Sequence, residues 1–208
     1  MKVTHGYDNC PAYAPAFGFM AAALCAILSN FGAAWGTWRA GSGVCKMGVD
    51  YPKGIIKNII PIVMAGVLGI YGLIVSVIIA QSITSPRNDE GLTSYSLYSG
   101  YAHMAAGLCC GMSCLAAGGT IGLIGEIGVQ CYGLKACNGK RAWLTGEGAD
   151  PRSADTGAGN IRETLTVEAA NKLYVGLLIM LIFSEAIALY GLIVALILSQ
   201  HSYVCENN

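Results

Sequence analysis

The sequence predicts an all-α membrane protein with four transmembrane helices. Only 12% of its 208 residues are charged and 54% are hydrophobic, whereas ordinary soluble domains carry about 25% charged residues. The hydrophobic residues fall in four blocks, each long enough to cross the roughly 30 Å hydrocarbon layer, which takes about 20 helical residues. The blocks are unbroken rather than alternating, so they predict helices and not the strands of a barrel.

The limits of these blocks define the four predicted spans, which are Ala12–Thr37, Ile55–Ser82, Tyr101–Gly125 and Leu173–Gln200. We therefore expect a first helical hairpin in residues 1–83, a connection in residues 84–100 and a second hairpin in residues 101–208. The second hairpin contains a long loop at about 134–172.

Lysine and arginine are distributed asymmetrically around the spans. Between the first two spans lie Arg39, Lys46, Lys53 and Lys57, and between the last two lie Lys135, Lys140, Arg141, Arg152, Arg162 and Lys172. Only Lys2 and Arg87 fall on the opposite side. The positive-inside rule predicts that both basic loops face the cytoplasm. Both termini and the 84–100 connection then face away from it.

An internal repeat relates the two predicted hairpins. Residues 69–82 read GIYGLIVSVIIAQS and residues 188–201 read ALYGLIVALILSQH, and both contain YGLIV. Each repeat has an even number of spans, so the two hairpins share one orientation in the membrane.

Glycines at four-residue spacing mark the first and third spans. The pairs are Gly32 and Gly36, Gly107 and Gly111, and Gly118 and Gly122. Small residues at this spacing let helix backbones approach closely in lipid. Two interpretations are open: ordinary packing of membrane helices, or an inner layer in which spans one and three line an oligomer. We also assign Gly66, in the second span, to helix packing.

Two carboxylates lie in or beside the spans. Glu185 is about 12 residues into the fourth span, hence about 18 Å from its end at 1.5 Å per residue, near the middle of the membrane. Charged side chains at that depth are costly and commonly mark ion pathways, so Glu185 should be protonated and neutral in lipid. Glu126 lies at the cytoplasmic end of the third span, where water and headgroups favour an interfacial structural role.

Glu185 is the predicted proton carrier. No lysine or arginine lies near its depth in the predicted spans, so a cation that discharges it must come from another chain. The repeat offset of about 119 residues pairs Glu185 with Gly66, so two hairpins share one carboxyl. Around Gly66 the nearest polar group is Tyr71. A sodium site needs several oxygen ligands, whereas a proton needs only one carboxyl, so the predicted transported ion is H⁺. The alternative is a protonated Glu185 that only ties helices together.

Several function classes are excluded. Twelve acidic residues balance twelve basic ones, so no net field attracts nucleic acid. The chain has no G-x-x-x-x-G-K-[ST] motif for a nucleotide, and no C-x-x-C pair supports a metal site. We expect no cofactor. His103 falls at a span end, where interfacial placement without a role is expected.

Three regions closely resemble the c-type proteolipid family of the eukaryotic vacuolar-type proton-pumping ATPase (V-ATPase). They are Tyr13-Ala14-Pro15 with the run GAAWG at 32–36, KNIIPIVMAG at 57–66, and FSE at 183–185 followed by LYGLIVAL at 189–196. The resemblance implies a protein that is not itself catalytic for ATP but belongs to a membrane rotor ring of identical or paralogous proteolipids.

The resemblance also implies partners and site roles. Glu185 matches the family's essential carboxylate, and Tyr71 matches a tyrosine that can hydrogen-bond it. The membrane-embedded a subunit of the stator would supply an arginine, and the d subunit of the central stalk would contact the ring. The implied location is the lipid bilayer of vacuolar or endosomal acidic compartments, with luminal termini.

The long loop departs from the family pattern. Its middle, Gly146–Gly159, has almost no apolar content and reads as flexible. Asn160 and Glu163 resemble a capping box, which predicts a helix start near Ile161. Two further hypotheses stay open: a minor paralogous ring proteolipid of the c' type, and a structural four-helix membrane protein.

Overall fold

The computed structural model describes residues 13–84, 95–137 and 157–201, and within them it is helical. The helices are α1 (Ala14–Asp50), α2 (Ile60–Ser82), α3 (Leu97–Ala136) and α4 (Gly157–Ser199). Two short 3-10 turns, Pro52–Gly54 and Lys57–Ile59, connect α1 to α2. All four helices are long and apolar enough to cross a membrane. The predicted all-α fold with four transmembrane helices is confirmed.

Three helices extend well beyond the predicted spans. The lengths of α1, α3 and α4 are 37, 40 and 43 residues, whereas about 20 residues cross the hydrocarbon. The predicted limits follow hydropathy, but backbone hydrogen bonding continues where side chains become polar. Both ends of the predicted 134–172 loop are therefore helical, because α3 continues to Ala136 and α4 begins at Gly157. Asn160 lies inside α4 and is not its N-cap, because α4 begins at Gly157.

Parts of two predicted connections fall outside the described residues. Residues 85–94 of the 84–100 connection and residues 138–156 of the long loop are among them, and the latter include most of the segment predicted to be flexible. Residues 97–100 already belong to α3.

The chain divides into two compact units, each containing parts of all four helices. The described residues of the first unit are 13–33, 67–84, 95–118 and 186–201, and those of the second are 34–66, 119–137 and 157–185. The core of the first unit is built largely of small side chains, which allow close helix packing. Fully buried examples are Ala21, Cys25, Ala106, Cys110, Cys114 and Ala117.

An aromatic cluster anchors the second unit. The buried Tyr132 ring lies 6.5 Å from the ring of Tyr51 and 5.9 Å from that of Tyr174. The Tyr174 hydroxyl donates a 2.7 Å hydrogen bond to the carbonyl of Lys57. This cluster fixes the α1–α2 connection against α3 and α4.

The sequence repeat is also a repeat of packing within the first unit. A side chain on Gly72, the glycine of the first YGLIV, would overlap the hydroxyl of Ser29. A side chain on Gly191, the glycine of the second YGLIV, would overlap the hydroxyl of Ser113. Both serines donate to the carbonyl three residues earlier in their own helix. The α1–α2 and α3–α4 contacts are therefore built in the same way at this level.

The helices differ in how much of their apolar surface the chain itself covers. Only 28% of the membrane-spanning window is buried in α2 and in α4, against 44% in α3. The exposed apolar surface of α2 and α4 suits a lipid environment or contact with other membrane helices.

Candidate functional site

Glu185 lies on α4 in the second unit at the border between a packed and an exposed face. Ser184 before it is 5% exposed, whereas Phe183 points outward. Successive residues on a helix point in directions about 100° apart, and the Glu185 side chain is half-buried. A carboxyl in this position can be reached from outside the unit without unpacking the helix.

A hydrogen bond between helices lies next to this carboxyl. The hydroxyl of Thr120 on α3 and the hydroxyl of Ser184 on α4 are hydrogen-bonded to each other, and either one can be the donor. Thr120 is at the exposed edge of α3, and Ser184 is buried. Sequence reasoning missed this pair, because the contact depends on the relative rotation of two helices that lie far apart in the chain.

Tyr71 and Gly66 both lie on α2. Tyr71 is half-buried in the first unit, and its hydrogen bond to Glu185 stays a prediction. Gly66 is exposed in the second unit, and a Cβ added there would meet no atom of the described residues within 4 Å. Within the described part of the chain Gly66 mediates no close helix approach.

The glycines of α1 and α3 do bring backbones together. In the first unit a Cβ on Gly32 would lie 2.7 Å from the Cys114 carbonyl oxygen, and one on Gly107 would lie 2.5 Å from that of Ala21. A side chain on Gly118 would overlap the backbone of Gly32. The remaining contacts are Gly111 against Leu28 in the first unit and Gly122 against Gly36 in the second. These approaches occur between the two helices that carry the G-x-x-x-G pairs.

Glu126 forms ion pairs with two cations of α1 in the second unit. Its carboxylate, 13% exposed, lies 3.1 Å from the guanidinium of Arg39 and 3.1 Å from the ammonium of Lys46. Between these two residues on the same face of α1 lies Gly43, where a Cβ would come within 2.7 Å of the Glu126 Cα. The spacing Arg39, Gly43, Lys46 follows the i, i+4, i+7 pattern of one helix face and could have indicated a partner carboxylate.

His103 belongs to a buried hydrogen-bonded cluster that the sequence does not indicate. It is fully buried in the first unit. Its Nδ1 lies 2.6 Å from the Tyr95 hydroxyl, and its Nε2 lies 3.3 Å from the Ser199 carbonyl oxygen. Burial raises the pKa of Tyr95 to about 12. A buried imidazole needs partners on both nitrogens, and this cluster supplies them.

Comparison with known proteins identifies relatives over nearly the whole chain. The family model described as the C subunit of ATP synthase matches residues 20–79 and 156–198. A V-type proton ATPase 16 kDa proteolipid subunit of Chrysotila carterae is 44% identical over 199 residues, which cover 96% of this chain and 99% of the relative. The V-type proton ATPase 16 kDa proteolipid subunit c 2 of Caenorhabditis elegans is 40% identical over 90% of this chain and 91% of the relative. The c' proteolipid of the Saccharomyces cerevisiae V-type proton ATPase is 39% identical over 91% of this chain and 90% of the relative.

Proposed function

Because the chain belongs to the V-type proton ATPase proteolipid family, we propose that it is a proton-conducting subunit of the membrane rotor ring of such an ATPase. High identity to a V-type proteolipid across nearly the whole chain carries this assignment. Four helices long enough to span a membrane agree with it. The chain is an integral multi-pass membrane protein, and nucleotide hydrolysis belongs to other subunits of the complex.

Glu185 is the proton carrier in this proposal. An ionised carboxylate at the bilayer centre costs about 3 kcal/mol or more, so the group crosses lipid in its neutral form. It loses its proton where a cation stabilises the carboxylate, and the arginine of the stator's a subunit supplies that cation. Support comes from the half-buried position of Glu185 beside the exposed face of α4. A hydrogen bond from Tyr71 to the carboxyl is part of the proposal, as the family resemblance implies.

The proposal extends to the arrangement of the ring and to its neighbours. Identical or paralogous proteolipids pack side by side through the apolar faces that the single chain leaves exposed. The basic ends of the hairpins face the cytoplasm, where the d subunit of the central stalk contacts the ring, and both termini face the lumen. The compartment is vacuolar or endosomal.

A second candidate is a minor ring proteolipid of the c' type. The c' proteolipid of S. cerevisiae is nearly as similar to this chain as the c-type relative of C. elegans is. Expression in cells that lack either the c-type or the c'-type proteolipid separates the two: a main ring proteolipid restores acidification in the first strain, and a c' type restores it in the second.

The decisive experiment replaces Glu185 with Gln in every copy of this chain in the complex. The amide is nearly isosteric but releases no proton, so ATP-driven acidification of vesicles should be lost while the assembled complex persists. Glu126→Gln is the matched control, because it removes a carboxylate of the same unit that is already paired with cations. Acidification that survives Glu185→Gln at normal assembly would exclude Glu185 as the carrier.

A further inference from the structure

The hydroxyl pair next to the candidate carboxyl differs from the surrounding contacts of the second unit because it has a direction. Around it, α3 and α4 present buried apolar residues such as Ile121 and Leu181. Apolar contacts are non-directional, and they tolerate small rotations of one helix against another. A hydrogen bond between Thr120 and Ser184 tolerates less, since its strength falls steeply as the donor angle departs from linear.

Rotation matters at this position because Ser184 immediately precedes Glu185. A rotation of α4 by about 20° moves a side-chain tip at a radius of about 6 Å by about 2 Å. That displacement is enough to carry a half-buried carboxyl from the edge of the packed face of α4 to its exposed face. A contact that holds Ser184 against α3 therefore also sets where the Glu185 carboxyl lies.

The twin hairpin lacks both hydroxyls as well as the carboxyl. The repeat pairs Gly72 with Gly191 and Ser29 with Ser113. The same offsets pair Glu185 with Gly66 and Ser184 with Ala65, which is fully buried. They pair Thr120 with Gly36. The hairpin without a carboxyl thus has no side-chain oxygen at either equivalent of the hydroxyl pair.

We infer that Thr120 is a positioning residue for Glu185, acting through its hydrogen bond to Ser184. The inference rests on the proposed role of Glu185 as proton carrier. Thr120 fixes the rotation of α4 so that the carboxyl stays at the border of the packed face, where it can exchange a proton. Loss of either hydroxyl lets the carboxyl turn toward lipid.

The test uses the assembled complex and two measurements. The first is the rate at which dicyclohexylcarbodiimide, an apolar reagent for protonated carboxyls, modifies Glu185 at fixed pH, with the site located by mass spectrometry. The second is ATP-driven acidification per assembled complex. The variants are Thr120→Val, which removes only the hydroxyl, Ser184→Ala, their double variant, and Thr120→Ser. Thr37→Val is the control, because the Thr37 hydroxyl bonds to Ala34 within its own helix.

Thr120→Val and Ser184→Ala should each raise the labelling rate about threefold, which is the factor that corresponds to the free energy of a typical hydrogen bond between membrane helices. Both variants should also lower ATP-driven acidification. The double variant should equal the single ones, and Thr120→Ser and Thr37→Val should behave as wild type. Thr120→Ser keeps the hydroxyl and changes the packing at this position. Wild-type behaviour of Thr120→Ser would therefore show that the effects of Thr120→Val come from loss of the hydroxyl and not from general damage to the fold. Unchanged labelling and acidification in both single variants, or additive effects in the double one, would overturn the inference. Glu185→Gln separates the proposed function from the positioning role. If acidification is retained in Glu185→Gln, Glu185 is not the proton carrier. If acidification is lost in Glu185→Gln but Thr120→Val and Ser184→Ala behave as wild type, only the positioning role of Thr120 is refuted.

Discussion

The ion-pair cluster of the second unit allows a graded test of what holds α1 against α3. Glu126 on α3 is bonded to Arg39 and to Lys46, which lie about two turns apart on one face of α1. Replacing Glu126 with Gln keeps the shape and removes the charge. Replacing Arg39 or Lys46 with Met removes one cation at a time and keeps most of the side-chain length.

The expected magnitudes follow from exposure. Lys46 is 63% exposed, so its bond contributes about 0.5 kcal/mol, as surface pairs do. Arg39 is 37% exposed against a carboxylate that is 13% exposed, so this charge-assisted bond contributes about 1.5 kcal/mol. Glu126→Gln loses both but keeps one neutral acceptor, which recovers about 0.5 kcal/mol. The free energy of unfolding should therefore fall by about 1.5 kcal/mol for Glu126→Gln and Arg39→Met and by about 0.5 kcal/mol for Lys46→Met.

The assay is unfolding of the purified chain in mixed micelles with increasing fractions of denaturing detergent, followed by helical circular dichroism. Glu168→Gln is the control, since its pair with Lys172 joins two exposed residues of one helix, and such pairs contribute about 0.3–0.5 kcal/mol. High salt should reduce the effect of Lys46→Met more than that of Arg39→Met, because exposed charges are screened more strongly. If Lys46→Met destabilises the chain as much as Arg39→Met does, exposure does not set the strength of these bonds.

Two further predictions concern close helix packing and the buried tyrosine of the first unit. Gly32→Val should destabilise the chain by about 2–3 kcal/mol because its new side chain meets the α3 backbone. Gly41→Val should be nearly neutral, since no described atom lies within 4 Å of a Cβ at that position. Equal effects of the two variants in the same unfolding assay would show that helix propensity, and not close helix approach, sets the cost. Tyr95 should make the free energy of unfolding fall at high pH, because its pKa of about 12 in the folded chain exceeds the ordinary value of 10. The contribution of Tyr95 is constant below pH 10. Between pH 10 and 12 it is lost by up to about 1.4 kcal/mol per pH unit. Tyr95→Phe should remove this part of the alkaline loss, and identical alkaline profiles for the two proteins would contradict it.

The four membrane helices could be predicted from the sequence because the bilayer imposes a strong and simple constraint on hydropathy. The ends of these helices could not be predicted, because α1 and α3 continue through segments that contain Gly and Lys, and whether such segments are helical depends on packing between helices. The placement of Glu126 illustrates the same limit. The sequence places it at a span end without indicating a partner, and the extension of α1 past Thr37 brings Arg39 and Lys46 alongside it. Contacts between distant helices depend on rotation, which periodicity alone leaves undetermined.

The two repeats share a packing framework and differ in chemistry. At the YGLIV glycines each hairpin packs a glycine of one helix against a serine of the other, so the backbone geometry is maintained twice. Elsewhere along the same helices the hairpins diverge: the second has Thr120, Ser184 and Glu185 where the first has Gly36, Ala65 and Gly66. Each of these differences places a polar side chain in the second hairpin and an apolar or absent one in the first. A polar group within a membrane helix is costly unless it has a partner, so a carboxyl and its supporting hydroxyls are expected to be present or absent together, as they are in these two hairpins.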